Sequence, residues 1–200
     1  MTPGGRRMTP PREVDGDDAA ARGRAMTVEL REARRGDELA VAAVHVRSWQ
    51  EGYRGLMPAE YLDALDPRDR AATYTFESEG PAAPKTVLAV GEENDEEVVL
   101  GFTTFCSSRD ADVPGVGEIV ALYVDPDRHE GGVGRLLMAE ARRRLAEAGF
   151  TDGLLWVLDG NDRAASFYER EGWAADGAVR EEEPYGITSN VRRFHLEALD

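Results

Sequence analysis

The chain has 200 residues, a length that fits one ordinary domain with a core of its own. Hydrophobic residues make up 42% and charged residues 32%, proportions typical of globular proteins rather than disordered or fibrous ones. The formal net charge of −15 argues against nucleic acid as a partner, because an acidic surface repels the phosphate backbone.

Other features favour a cytoplasmic protein without membrane attachment. No apolar run approaches the roughly 20 residues that span a bilayer, and the N-terminus lacks the apolar stretch of a secretory signal. Cys106 is the single cysteine and cannot form an internal disulfide, which agrees with that compartment. Residues 1–26 are rich in Gly, Pro, Arg and Asp without hydrophobic periodicity. We expect a flexible tail there, followed by one domain over 27–200.

The predicted elements mix strands and helices. In chain order they are a strand over 27–33, a helix from an Asp37 N-cap to about 51, helices over 58–65 and 67–79, strands over 86–90, 98–105 and 118–124, a helix over 132–148, a strand over 154–158, a helix over 163–171 and a strand over 192–199. The acidic run over 91–97 indicates a solvated hairpin loop between antiparallel strands. The strand, glycine turn, helix and strand over 118–158 indicate a parallel βαβ unit. The predicted class is α/β, with a mixed, mostly antiparallel sheet flanked by helices.

The glycine-rich turn before the helix at 132 is the most informative stretch. Gly131, Gly132 and Gly134 let the backbone approach a ligand closely. The N–H groups of the first helical turn have no intrahelical acceptor, and the helix dipole favours an anion there. The turn is therefore a candidate diphosphate site, although a tight strand-to-helix connection alone would also use these glycines. A P-loop and a G-x-G-x-x-G motif are both excluded, since Leu137 stands where the latter needs its third glycine.

With these residues the sequence resembles the GNAT superfamily of N-acetyltransferases. Leu122–Val124 and His129–Gly134 match its main motif, a strand ending in a hydrophobic triplet, then [QR]-x-x-G-x-[GA] and a helix. Asn161–Trp173 (NDRAASFYEREGW) is similar to its second motif, N-x-x-A-x-x-F-Y-x-x-x-G-[FW]. The order of elements agrees from about Val28 to the end. Two motifs at the right separation make the resemblance strong.

The resemblance implies acetyl-CoA as co-substrate. The residues it assigns to the cofactor are Leu122, Tyr123, Val124, His129, Gly131, Gly132, Val133, Gly134, Arg135, Asn161 and Phe167. Backbone groups of the strand would pair with the pantetheine amides like an added strand, and Asn161 would also cap its helix. His129 replaces the usual Gln or Arg, and Glu130 a common Gly. Arg128 and Arg135 are the nearby cations that could supply the missing charge.

The resemblance also assigns catalytic side chains. Tyr168 would protonate the departing thiolate of CoA, although a Tyr beside a Phe is, in isolation, more often a core residue. Glu118 would act as the general base that takes a proton from the attacking amine; an ordinary charged strand start is the alternative. The residues at positions where relatives form the acceptor pocket are Trp49, Tyr53 and Met57. The alternative for these three residues is that they form a mainly aromatic stripe at helical spacing that only packs against the rest of the domain.

We therefore predict an N-acetyltransferase that moves the acetyl group of acetyl-CoA to a primary amine of a small molecule, by direct attack in a ternary complex. Two alternatives stay open: acetylation of a protein N-terminus or lysine, and a CoA-binding regulatory module without turnover. No His/Cys cluster has metal-ligand spacing, so no metal is predicted, and His45 is interpreted as a core histidine. The sequence is compatible with a homodimer and does not identify the acceptor.

Overall fold

The computed structural model describes residues 27–77, 83–183 and 187–199, without the side chains of 129 and 130. The tail predicted over 1–26 lies outside the described residues. In chain order the elements are β1 (Glu29–Glu32), α1 (Glu38–Gly52), α2 (Ala59–Asp63), α3 (Pro67–Ala71), β2 (Lys85–Glu93), β3 (Glu96–Ser107), β4 (Gly117–Val124), a 3-10 turn (Pro126–Gly131), α4 (Val133–Glu147), β5 (Gly153–Leu158), α5 (Asp162–Arg170), β6 (Ala174–Glu182) and β7 (Ser189–Leu196).

The described strands form one seven-stranded sheet in the order β1-β2-β3-β4-β5-β7-β6. Its neighbours pair antiparallel except β4 and β5, which are parallel and joined through α4. The mixed, mostly antiparallel α/β fold predicted from the sequence is confirmed. In the described residues, no helix has the length and apolar character needed to cross a membrane.

Helices cover the two faces of the sheet, and each face has its own apolar cluster. Helix α4 buries Leu137, Ala141 and Leu145 at helical spacing against one face. Helix α1 buries Val41 and Val44 against the other. Residues that alternate along a central strand therefore point towards α4 or towards α1, and we call these the α4 face and the α1 face.

The acidic stretch over 91–97 is not the loop that its composition predicts. Strands β2 and β3 continue into it and pair down to Glu93↔Glu96. Asn94 and Asp95 alone form the turn, both at positive φ, 54° and 62°. A two-residue turn with both central residues left-handed matches the twist of the strands, and Asn and Asp tolerate that conformation. The prediction of a seven-residue loop was therefore wrong.

Two other elements differ from the prediction. The helix predicted over 67–79 ends at Ala71, and residues 78 and 79 lie outside the described residues. The chain leaves the helix early because Tyr74 packs in the α1-face cluster and hydrogen-bonds His45. Strand β6 was not predicted, since it is largely exposed, lacks apolar alternation and has an irregular register between Ala175 and Val179.

Candidate active site

A gap opens in the middle of the sheet where β4 and β5 separate. Their parallel pairing covers three positions and ends at Ile119↔Leu155. The register of β3 with β4 shifts between Thr104 and Phe105, which leaves Val120 as an extra residue on β4. Such a bulge bends a strand and increases its twist, which accounts for the divergence. The β5-facing backbone groups of β4 from Val120 onward are therefore open to a ligand.

The gap widens into a cleft of about 730 Å³. Its lining comes from α1, β4, the start of α4, the end of β5 and α5, and comprises Ser48, Gly52, Tyr53, Ile119, Val120, Ala121, Leu122, Tyr123, Val124, Gly132, Gly134, Arg135, Trp156, Val157, Leu158, Asn161, Arg163, Ala164, Phe167, Tyr168, Arg170 and Glu171. This volume lies within the range of about 300–1,000 Å³ typical of small-molecule sites. Both predicted motifs converge on this cleft.

The glycines at the start of α4 leave space for a ligand. Gly132 is left-handed, with φ 73°, and is the N-cap of α4. A Cβ added at Gly134 would meet only Phe167 and Val124, at ordinary distances of 3.6–3.7 Å. Packing does not demand a glycine there, whereas a phosphate approaching the free N–H groups of the first turn would. These residues fit the diphosphate of CoA.

The charged residues that line the cleft differ in balance from the acidic chain as a whole, which bears on how it could bind a polyanion such as CoA. Three arginines, Arg135, Arg163 and Arg170, line it, against one carboxylate, Glu171. The cleft lining is thus net positive, although the whole chain carries −15. The predicted helper cations already have partners: Arg135 Nε lies 3.1 Å from Glu171, and Arg128 Nη2 lies 3.1 Å from Glu93.

Of the other residues predicted to bind the cofactor, several line the cleft and some do not. Leu122, Tyr123, Val124, Asn161 and Phe167 line it. The capping role of Asn161 is confirmed, since its side chain accepts a hydrogen bond from the Ala164 N–H at 3.1 Å.

Val133, by contrast, is 2% exposed in the α4-face core, and Gly131 lies outside the lining. His129 belongs to the 3-10 turn, and its side chain is not described.

Three tyrosines meet in the cleft. The hydroxyls of Tyr53 (from α1) and Tyr123 (from β4) are 3.4 Å apart. Tyr168 on α5 lies close enough for Tyr123, together with burial as the main cause, to raise the pKa of Tyr168 above its ordinary value. Burial and the same neighbours also raise the pKa of Tyr53. The phenols of Tyr53 and Tyr168 therefore keep their protons at neutral pH and can act as donors.

Glu118 lies outside the cleft lining, just before the first cleft residue of β4. It is 1% exposed, and its carboxylate accepts hydrogen bonds from the Arg109 backbone N–H at 2.9 Å and from the Arg109 guanidinium. Ile119 packs on the α4 face, so Glu118 points to the α1 face, as Tyr123 does. The base role of Glu118 stays a prediction. A proton could reach this carboxylate only with some rearrangement around Arg109.

Of the residues predicted to contact the acceptor, one lines the cleft and two do not. Tyr53 lines the cleft, whereas Trp49 and Met57 are each 7% exposed and pack with Leu62 in a third apolar cluster. The interpretation of His45 as a core residue is confirmed. Its Nε2 accepts from Arg70 at 3.2 Å, so its Nδ1 donates to the Tyr74 hydroxyl at 2.6 Å.

Sequence reasoning missed part of the cleft. Ser48 donates to the carbonyl of Val124 at 2.9 Å and ties α1 to the end of β4. Arg163 and Arg170 lie four before and three after Phe167, so helical spacing could have placed them on the cleft side of α5. Trp156 carried no such signal, because its place in the cleft depends on the separation of two strands.

Comparisons with known proteins agree with this geometry. Residues 46–173 match the Acetyltransferase (GNAT) family. The chain is 30% identical over 134 residues to the N-acetyltransferase YuaI of Bacillus subtilis (strain 168), itself uncharacterised, covering 67% of this chain and 73% of YuaI. It is 35% identical over 101 residues to a mycothiol acetyltransferase of Kocuria rhizophila, covering 48% of this chain and 33% of that protein.

The fold is shared with solved structures. The PaiA N-acetyltransferase from Thermoplasma acidophilum, in complex with coenzyme A, superposes with a TM-score of 0.61 at 18% identity, covering 86% of this chain and 99% of that one. A separated β4–β5 pair, a glycine-rich helix start and the two sequence motifs thus coincide with a family match over most of the domain. The chain belongs to the GNAT acetyltransferase family and is an acetyl-CoA-dependent acetyltransferase.

Proposed function

We propose that the protein acetylates the primary amine of a small molecule, by direct attack on acetyl-CoA in a ternary complex. The observation that carries this proposal is the cleft of about 730 Å³ between β4 and β5, with Tyr168 and Tyr53 both in its lining. A cleft of this volume gives room for the reactive parts of both substrates at once.

Tyr168 is the proposed general acid. Since burial raises its pKa, the phenol is fully protonated at neutral pH. A thiolate formed in a water-poor cleft is a strong base, so Tyr168 can donate its proton as the carbon–sulfur bond breaks. No side chain in the described part of the chain accepts a hydrogen bond from this hydroxyl, which leaves its proton available.

Strand β4 is the proposed source of carbonyl polarisation. Its unpaired backbone N–H groups between Val120 and Val124 face the gap and are fixed by pairing with β3 on the opposite edge. A fixed N–H stabilises negative charge that develops on the thioester oxygen. The amine must lose a proton before it attacks, and Glu118, acting through water, is the predicted acceptor of that proton.

A small molecule is favoured over a protein acceptor for two reasons. The cleft volume of about 730 Å³ suits a CoA arm and a compact amine, and the Kocuria relative is named a mycothiol acetyltransferase. The chain spans about a third of that relative's length, so mycothiol itself is not transferred to this chain. A cytoplasmic location, where acetyl-CoA is available, belongs to the same proposal.

The test is acetyl transfer across a panel of amines, with free CoA thiol and acetylated amine measured together. The panel contains aliphatic monoamines, diamines, amino acids and aminoglycosides, beside a peptide with a free N-terminus and one with an internal lysine. Equal formation of thiol and acetylated small amine supports the proposal. Transfer to the peptides alone supports the protein alternative. Binding of acetyl-CoA without amine-dependent thiol release supports the regulatory module.

A further inference from the structure

Two arginines next to lining residues of the cleft, but outside the lining itself, are each held by a buried carboxylate. Arg109 binds Glu118, whose side chain is 1% exposed. Arg180 binds Asp110, whose side chain is 5% exposed. The arginines themselves are 57% and 34% exposed. Arg109 keeps an open edge at Nη1, whereas Nε and Nη2 of Arg180 both bind Glu182. An open guanidinium edge with a fixed position is suited to binding a carboxylate.

The Arg109–Glu118 pair fixes one of these edges. Nε and Nη2 of Arg109 reach the carboxylate of Glu118, with Nε at 3.2 Å from both oxygens, and the Arg109 backbone N–H adds a bond of 2.9 Å. Within the described residues, Nη1 of Arg109 has no hydrogen-bond partner. Because a buried carboxylate strongly resists losing its cation, Arg109 stays in place when its outer edge meets a ligand.

Arg180 is fixed by contacts of a different kind. Its guanidinium lies 3.9 Å from the centroid of the Trp156 ring and forms an ion pair with Asp110. Trp156 in turn donates its indole N–H to Asp110 at 2.9 Å. Nε and Nη2 of Arg180 also both donate to Glu182, with Nε at 2.8 Å.

These residues lie beside the acceptor side of the cleft. Trp156 lines the cleft, and its neighbours Leu155 and Val157 belong to the α4-face core, so Trp156 points to the α1 face. Glu118 comes immediately before Ile119, the first cleft residue of β4, and points to the same face. Tyr53 belongs to this side as well, and the charge of Glu182 contributes to its raised pKa.

We propose that the acceptor is an amine that also carries a carboxylate, and that Arg109, with Arg180 beside it, binds this carboxylate. The inference rests on the proposed function and names its substrate class. Glu118 acts as a positioning residue, because it holds Arg109 with Nη1 left open, and Asp110 holds Arg180 against Trp156. The amine of the acceptor then points along the α1 face towards Tyr53 and Tyr123.

Charge in the cluster sets the expected strength of this contact. Glu118 neutralises Arg109, Asp110 and Glu182 bind Arg180, and Arg193 beside them pairs with Asp110, Asp112 and Asp176. No large attractive field therefore draws in an anion. Recognition depends on fixed hydrogen-bond donors instead. A carboxylate on a fixed guanidinium changes affinity by about tenfold to a hundredfold, the range of charge-assisted hydrogen bonds.

The experiment compares matched acceptors that differ only in the carboxylate: phenylalanine with 2-phenylethylamine, methionine with 3-(methylthio)propylamine, and leucine with 3-methylbutylamine. The full chain is used at saturating acetyl-CoA, and kcat/KM is expressed per unprotonated amine. We expect the amino acid of each pair to be preferred by about tenfold or more. Equal kcat/KM within the pairs would overturn the inference and leave the proposed function standing. Absence of transfer to any amine, here and across the earlier panel, would overturn both.

Variants separate recognition from mere support of the fold. Arg109→Gln should remove the preference, mainly through the KM of the amino acid. Since Arg109→Gln alone leaves Glu118 buried without its cation, the double replacement Arg109→Met with Glu118→Leu is the companion variant. Replacing both partners of a buried ion pair by apolar side chains is often neutral for stability. Arg109→Lys keeps the charge without the planar fork and should restore only part of the preference.

The matched control is Arg143→Gln, because Arg143 on α4 is similarly exposed at 51% and pairs with Glu140 and Glu147 away from the cleft. It should keep the full preference. If a folded double variant also keeps the preference, the Arg109–Glu118 pair only supports the fold, and the inference fails. Glu118→Gln distinguishes the positioning role of Glu118 from its role as general base. Loss of the preference for the amino acid at every pH indicates positioning. A fall in kcat/KM mainly at low pH, with that preference intact, indicates the general base and contradicts positioning.

Discussion

The two ends of the cleft present different chemical groups. The α4 and α5 end, where we propose that the cofactor binds, is lined by backbone N–H groups, glycines and the exposed Arg135 and Arg170. At the α1-face end, the walls carry the aromatic side chains of Tyr53, Tyr123 and Trp156, and Arg109 lies outside the lining, paired with the buried Glu118. Backbone geometry can recognise a ligand shared by a whole family, because it tolerates changes of side chain. The other end depends on side chains, and its specificity therefore belongs to this chain.

We expect the largest effect from a substitution at the cofactor end of the cleft, at Gly134. Gly134→Val puts a branched side chain where a phosphate would approach the first turn of α4. We expect acetyl-CoA to bind at least about 100-fold more weakly, since a displaced phosphate loses several charge-assisted hydrogen bonds of roughly 1.5–3 kcal/mol each. Calorimetry measures the affinity. Leu136→Val, also a β-branched replacement on α4 but at an exposed position, controls for the helix propensity of valine. Near-normal affinity in a folded Gly134 variant would place the phosphates elsewhere.

The second prediction concerns Tyr168, which stands between the two ends. Tyr168→Phe removes only the hydroxyl, so fold and acetyl-CoA affinity should barely change. Turnover should fall by roughly 100-fold or more, the usual scale for a general acid. Rapid-quench measurement of the chemical step at saturating acetyl-CoA is the check. Turnover within about threefold of the wild type would favour the packing interpretation, in which Tyr168 only fills space beside Phe167 and Phe194.

The third prediction concerns the pH dependence of stability at the acceptor end, where His45 packs against Tyr123. Burial, with a contribution from Arg70, lowers the pKa of His45 to about 3. The folded state thus keeps His45 neutral while the unfolded chain takes up a proton below about pH 6.5, so stability is lost as pH falls through that value. From pH 7.5 to 5.5 the loss is about 1.4 kcal/mol. Urea unfolding at both pH values measures this loss of unfolding free energy. In His45→Gln the free energy of unfolding should change less between the two pH values. An equal change in the variant would assign the effect to other groups.

The smallest effect concerns exposed charge at the cofactor end. Arg170→Gln should weaken acetyl-CoA binding by only about twofold to fivefold, because an exposed ion pair contributes about 0.2–1 kcal/mol. The difference should shrink at high salt, where such charges are screened. Arg143→Gln removes an arginine from α4 outside the cleft and should leave the affinity unchanged. Equal effects of the two variants would mean that global charge, and not the lining of the cleft, governs CoA binding.

The cofactor end could be predicted from sequence because its signals are local. Gly132 and Gly134 at a helix start, and Asn161 at the next, follow from neighbours within a few residues. The N-cap at Asp37 was predicted at the right place for the wrong reason. Its side chain binds Arg31 and the Arg34 N–H rather than capping α1.

The acceptor end could not be predicted in the same way. Trp156, Arg180 and Arg109 come from β5, β6 and the β3–β4 connection, and they meet only because the sheet order brings these elements together. Strand β6, which carries Arg180, had no apolar alternation to reveal it. Contacts between residues so far apart in sequence leave no local pattern. For the same reason the resemblance to the family placed Trp49 in the acceptor pocket, with helix packing as the alternative, and the side chain packs in the core.

The central claim is that both ends of the cleft are occupied together and the acetyl group passes directly between them. Initial rates measured over a grid of acetyl-CoA and acceptor concentrations test this most directly. We predict double-reciprocal lines that intersect, together with no acetylated protein by mass spectrometry after incubation with acetyl-CoA alone. Parallel lines, the kinetic pattern of a covalent acetyl-enzyme, with an acetyl group retained on the chain, would contradict it.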